Sequence, residues 1–129
     1  MRSKESALRL QRFRHDEKQR QVSDIEMMIA DFQRKQEELD NQVKAEETRS
    51  GVSDPAHFNY SLTAKAIRAR RDNLVKSIDD LRQQLAGAKA ELDEVTSELQ
   101  RAELMLEKSS QGGPGLHMTG FNPAMSIWS

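Results

Sequence analysis

The residues of this chain whose types could do chemistry are three histidines, two adjacent carboxylate pairs and one arginine cluster. His15, His57 and His117 lie in separate regions, two of them in or beside stretches without helical character. A zinc site needs three or four ligands converging at set spacings, and no His-Glu-x-x-His pattern supplies them. Asp79-Asp80 and Glu46-Glu47 resemble the paired carboxylates of acid-base catalysis. Adjacent residues on a helix point about 100° apart, however, so these pairs read as solvated surface. The absence of cysteine removes thiolate catalysis, disulfides and Cys-based metal sites together. There is no glycine-rich phosphate loop followed by Lys and Ser or Thr. The residues therefore point to no catalytic group, no metal and no cofactor. Arg68-Ala69-Arg70-Arg71 is basic, but Asp72 follows it and no aromatic interleaves it for base stacking. It reads either as helix surface held in ion pairs or as a basic patch for another protein, and nucleic acid is not an expected partner.

The elements that carry these residues follow from composition and period. The chain has 129 residues, 32% of them charged and 5% aromatic, with 20 Lys and Arg against 21 Asp and Glu. That is one domain's length with little to bury, and Gln, Glu, Ala, Leu, Arg and Lys are the residues of long solvated helices. A net charge of -1 gives no global attraction to nucleic acid or anionic lipid. No apolar run approaches the roughly 20 residues of a membrane-spanning helix, and no hydrophobic stretch follows Met1 to form a secretory signal. An Arg-rich start could suggest a transit peptide, but Glu5, Asp16 and Glu17 oppose that reading, and a cytoplasmic protein is expected.

The first segment runs from Ser3 to about Glu47 without Pro or Gly, and Ser50-Gly51-Val52-Ser53-Asp54-Pro55 breaks it. Asp54-Pro55 could itself open the second helix as a cap and first-turn pair. Helix is predicted over about 3–48 and 61–108, with a loop over about 49–60 and a flexible tail over 109–129. In the second segment the positions Ala64, Ile67, Arg71, Leu74, Ile78, Leu81, Leu85, Ala88, Leu92, Val95, Leu99, Ala102 and Leu106 alternate in steps of three and four, and only Arg71 is polar. Val22, Ile25, Ile29, Phe32, Leu39 and Val43 repeat the spacing in the first, interrupted at Gln36. A seam sustained in this way is a coiled-coil signal. The short connection makes the pair antiparallel, so residue numbers of facing seam positions should add to a constant. Val43 with Ile67, Ile29 with Leu81, Val22 with Ala88, Ile25 with Leu85 and Phe32 with Ile78 all give 110. Charges agree: residues 1–20 carry seven basic and three acidic side chains, whereas residues 91–107 carry six acidic and one basic. The predicted fold is all-α, an antiparallel coiled-coil hairpin of two long helices, marginally stable and about 65 Å long.

The same register sets Lys18, His15 and Gln11 against Leu92, Val95 and Leu99. Either the polar side chains lay their stems across the stripe, or the register shifts locally, or the stripe stays partly open for another protein or a second copy, with Leu8, Leu10 and Phe13 forming an apolar end beside Leu106. Phe58 and Tyr60 either staple the turn to Val52 and Leu62 or form a two-aromatic knob for a partner. Met118, Phe121, Met125, Ile127 and Trp128 of the tail have no helical or strand spacing, which suits a disordered extension or a short docking motif.

Several segments, in order, resemble the FliJ family of flagellar export proteins in its alphaproteobacterial form. They are Leu8-Arg9-Leu10-Gln11-Arg12-Phe13, Asp16-Glu17-Lys18-Gln19-Arg20-Gln21-Val22, Ile25-Glu26, Ser53-Asp54-Pro55-Ala56-His57-Phe58 and Arg68-Ala69-Arg70-Arg71-Asp72-Asn73-Leu74. The resemblance covers about residues 1–108 and leaves the tail unaccounted for. It implies a non-enzymatic stalk whose partners are the hexameric flagellar export ATPase, the membrane export-gate protein and export chaperones, at the inner face of the cell membrane at the flagellar base. On that reading Leu10, Arg12, Phe13, Leu92, Val95, Leu99 and Leu106 enter the ATPase ring, while Phe58, Tyr60, Leu62, Arg68, Arg70 and Arg71 meet the gate.

Overall fold

The computed structural model describes residues 2–110, so the tail expected over 109–129 lies outside the described residues from residue 111 onward. Two helices pack against each other as an antiparallel coiled coil: α1, Arg2–Ser50, and α2, Leu62–Ser110. No strand occurs among the described residues, and none of their helices is long and apolar enough to cross a membrane. The chain divides into two units, residues 19–90 and residues 1–18 with 91–129.

The first of these units holds the turn, and local chemistry sets its ends. Gly51 stands at φ +78°, a left-handed conformation that favours glycine, and its N–H donates to the Glu47 carbonyl at 2.9 Å. That single bond closes α1 in the αL manner. Asp54 does not open α2. Its carboxylate accepts the Ala56 N–H at 3.0 Å and its carbonyl accepts the His57 N–H at 2.9 Å, which makes a tight turn inside the loop. The cap belongs to Ser61, whose Oγ accepts the Ala64 N–H at 3.1 Å, three residues on as an N-cap requires.

Within this unit the buried apolar residues are Val22, Ile25, Ile29, Val43, Tyr60, Ala64, Ile78, Leu81 and Ala88. Apart from Tyr60 they are all seam positions, and Phe32, Leu39, Ile67, Leu74 and Leu85 of the same seam are half-buried. Polar contacts fix the register independently: Tyr60 with Glu47, Arg71 with Asp40 at 3.0 Å and Lys89 with Glu26 at 3.8 Å join residues whose numbers scatter closely about the constant set by the seam. Arg71, the polar interruption, is half-buried and also reaches Asp72 at 2.9 Å; its bonds to Asp40 first and then Asp72 raise its already high pKa. The charge thus keeps hydrogen-bonded partners while its stem occupies the seam.

Gly87 is the helix-interior glycine of α2, and a methyl group built there meets nothing within 4 Å. Gly87→Ala should therefore raise stability by about 1 kcal/mol through backbone entropy alone, seen as a melting temperature a few degrees higher.

In the other unit Leu8 is the only buried hydrophobic residue among the described residues. Leu92, Val95, Leu99, Ala102 and Leu106 continue the seam as half-buried positions, faced by half-buried Gln11, His15 and Lys18. With so little apolar surface removed from water, this pair of segments gains less from packing than residues 19–90 do.

Candidate protein-docking surfaces

The unit formed by 1–18 and 91–110 shows how its polar residues meet the apolar stripe. Lys18 lies half-buried with its Nζ 2.6 Å from Glu91, and His15 lies half-buried with Nδ1 3.1 Å from Asp16. Both cover the stripe with their stems and keep their polar ends at carboxylates near water. Gln11 fits less well: its Oε1 is buried and has no hydrogen-bond partner. Leu92, Val95, Leu99 and Leu106 are consequently seam residues that retain partial exposure.

Leu10 and Phe13 behave differently. They stand three residues apart on the surface of α1 turned away from the seam, and Phe13 is 61% exposed. On α2 the matching surface carries Leu104 and Met105, both exposed. Apolar side chains thus project outward from both helices of this unit, and sequence reasoning singled out only those on α1. The signal for Leu104 and Met105 was their place off the seam, Leu104 on the opposite face of α2 and Met105 at its flank, where a solvated helix pair normally carries polar residues. Arg12, between Leu10 and Phe13 in sequence, reaches Glu103 at 3.5 Å and stays more than half exposed.

In residues 19–90 the two aromatics of the turn part company. Tyr60 is 8% exposed, and its hydroxyl donates to Glu47 Oε2 at 2.6 Å. Phe58 is 88% exposed and stacks on the His57 ring, with centroids 4.7 Å apart. Tyr60 is therefore part of the packing, and the two-aromatic knob reduces to Phe58 with Leu62, which is 80% exposed. Glu46 and Glu47, dismissed above as solvated surface, fasten the turn. Ser61 donates its hydroxyl to Glu46 Oε1 at 3.1 Å, and Arg49 binds the same carboxylate. The Arg49 bond, ahead of that from Ser61, holds the Glu46 pKa below the usual carboxylate value.

Burial first, and the bond to the Glu47 carboxylate second, push the Tyr60 phenol above its ordinary value near 10. Tyr60 is the sole tyrosine of the chain, so absorbance at 295 nm reads it directly. It should ionise at a higher pH than a free phenol, and Glu47→Gln should bring the midpoint down. The stabilisation that Tyr60 gives is intact below the ordinary phenol range and is lost as pH rises through the raised value.

Arg70 lines an open groove of about 620 Å³, with Lys35 on the opposing helix and Phe32, Leu39 and Leu74 between them. Lys35 lies 5.9 Å from the Phe32 ring centroid. Neither cation forms an ion pair among the described residues, and with Glu38, which lines the same groove, the charges bordering this partly apolar surface are two positive and one negative. Arg68 is half-buried near the Tyr60 hydroxyl, and Arg71 is taken up by its two aspartates. The arginine cluster thus divides, with Arg70 the member open to a partner. Asp79 accepts a hydrogen bond from Gln83 at 3.3 Å, one turn along the same helix. No group of three or more His, Cys, Asp or Glu side chains that could hold a metal occurs among the described residues.

No family model matches this chain, and neither any curated protein nor any solved structure does. The functional reading rests on these surfaces and on the sequence resemblance.

Proposed function

We propose that this chain is a non-enzymatic stalk of the flagellar protein-export apparatus, which binds the hexameric export ATPase and couples it to the export gate. The observation that carries this reading is the outward projection of Leu10 and Phe13 from α1 and of Leu104 and Met105 from α2 within one unit. A helix pair that served only as a spacer would put charge at those positions. Apolar groups on the outer surfaces of both helices suit a partner that surrounds the pair, and two packed helices are roughly 20 Å across, a width suited to a ring's pore.

The gate contact is assigned to residues 19–90, where Arg70 and Lys35 border the groove over Phe32, Leu39 and Leu74. Two cations against the one carboxylate of Glu38 suit a partly apolar protein segment that bears more acidic than basic groups. Export chaperones would be further partners, and the protein would lie at the inner face of the cell membrane at the flagellar base.

The same apolar projections also suit a generic coiled-coil adaptor that covers them with a second copy. Sedimentation velocity of the protein alone and with the hexameric export ATPase separates the two. A monomer that migrates with the hexamer supports the stalk, while an obligate dimer that ignores it establishes the adaptor.

A further inference from the structure

Among the described residues of the unit formed by 1–18 and 91–129, the exposed large hydrophobics are Leu10, Phe13, Leu104 and Met105. Leu10, Phe13 and Met105 share one side of the helix pair. Arg12 and Glu103 bridge the helices at 3.5 Å along one flank. Leu10 and Met105 each stand two residues from that bridge, about 200° round their own helices, and so lie on the opposite flank. The register sets Leu10 against residue 100, which leaves Leu10 and Met105 about 8 Å apart along the axis. Phe13, one turn from Leu10, extends the apolar strip over the outer surface of α1. Leu8 is the one buried apolar residue described in this unit, so the strip adds apolar surface to a part of the chain with little core of its own.

The charged residues one turn from the strip are of both signs, Arg9, Arg14, Arg101 and Lys108 against Asp16 and Glu17. A strongly charged partner of either sign would meet like charges there, whereas an uncharged apolar segment meets none. Residues 111–129 are such a segment. They contain no Asp, Glu, Lys or Arg, and Leu116, Met118, Phe121, Met125, Ile127 and Trp128 supply large apolar groups. They also start next to the strip: α2 ends at Ser110, five residues after Met105, and Gly112-Gly113-Pro114-Gly115 has the composition of a chain reversal. Phe13, opposite residue 97, lies about 20 Å back from that end, and the fourteen residues after Gly115 span about 46 Å when extended. A segment tethered at this distance meets the strip at an effective concentration on the order of millimolar, so a few apolar contacts suffice to hold it.

We propose that residues 116–129 fold back onto this strip, with Phe121, Met125 and Trp128 covering Leu10, Phe13 and Met105. A partner of the same surface then binds by displacing the tail. The proposal does not depend on the stalk reading, because it is tested on the protein alone.

Trp128 is the sole tryptophan, so its fluorescence reports the tail directly. In the full chain its emission should lie to the blue of free tryptophan, resist quenching by acrylamide and stay the same on dilution. Leu10→Ser with Phe13→Ser and Met105→Gln should shift the emission to that of free tryptophan and abolish the protection, with circular dichroism unchanged because all three side chains are exposed. Phe121→Ser with Met125→Ser should give the same shift while leaving the sequence of both helices intact. Emission of free tryptophan in the parent chain overturns the proposal. So does blue emission that survives either variant with helicity unchanged, because Trp128 would then be sheltered elsewhere. Emission that reddens on dilution overturns it as well, and assigns the tail to a second copy of the chain.

Discussion

Replacing Leu10 and Phe13 together by Asp should cut the affinity for the hexameric export ATPase at least tenfold while the circular dichroism of the protein stays the same. Both side chains are exposed on the surface of α1 away from the seam, so the folded chain loses little when they become charged. In a complex they would be buried, and each is worth about 1.5–3 kcal/mol on transfer from water, against about 1.4 kcal/mol per tenfold in affinity. Leu99→Asp should contrast with it. Leu99 is half-buried in the seam, so a carboxylate there should reduce helicity in its own unit as well as binding. Unchanged binding by the Leu10 and Phe13 variant, with full helicity, would place the docking surface elsewhere.

The second large effect concerns the packed part of the molecule. Ile78 is 3% exposed and lies in the stretch of seam where Ile29, Leu81 and Ala88 are also buried. Truncating such a residue to Ala removes about 2–5 kcal/mol, and Asp adds the cost of an unpaired charge in an apolar strip. Two helices with one narrow seam hold only a modest margin over chain entropy. Ile78→Asp should therefore lose most of the helical signal at 25 °C. Val75→Ser, one turn earlier on the same helix but exposed, should melt within a few degrees of the parent. Equal melting of the two variants would mean that the seam does not hold the helices together.

The seam was legible because burial in a helix pair follows a period that the sequence displays: Val22, Ile25, Ile29, Ile78, Leu81 and Ala88 are spaced for it and are buried. The register was legible for the same reason, since one constant aligns all the facing positions. The turn was less so. Neighbouring residues cannot reveal that Tyr60 folds inward to Glu47 while Phe58 turns out, because that depends on the path set by Gly51, the Asp54 turn and the Ser61 cap. Glu46 and Glu47 read as surface for a related reason: their partners, Ser61 and Tyr60, arrive from across the loop. Division of the arginine cluster also needed coordinates, since Arg71 occupies the seam while Arg70, one residue earlier, lines the groove. The apolar positions at Leu104 and Met105 were present in the sequence, but the seam period says nothing of residues on the opposite face or at its flank.

The most direct test of the stalk reading is ATP hydrolysis by the hexameric flagellar export ATPase titrated with this protein at low and moderate salt, with hexamer formation followed in parallel. Stimulation that saturates near one copy per hexamer, and that the Leu10 and Phe13 variant fails to produce, is the expected result. A folded, helical sample that changes neither hydrolysis nor assembly at any ratio would contradict the stalk reading.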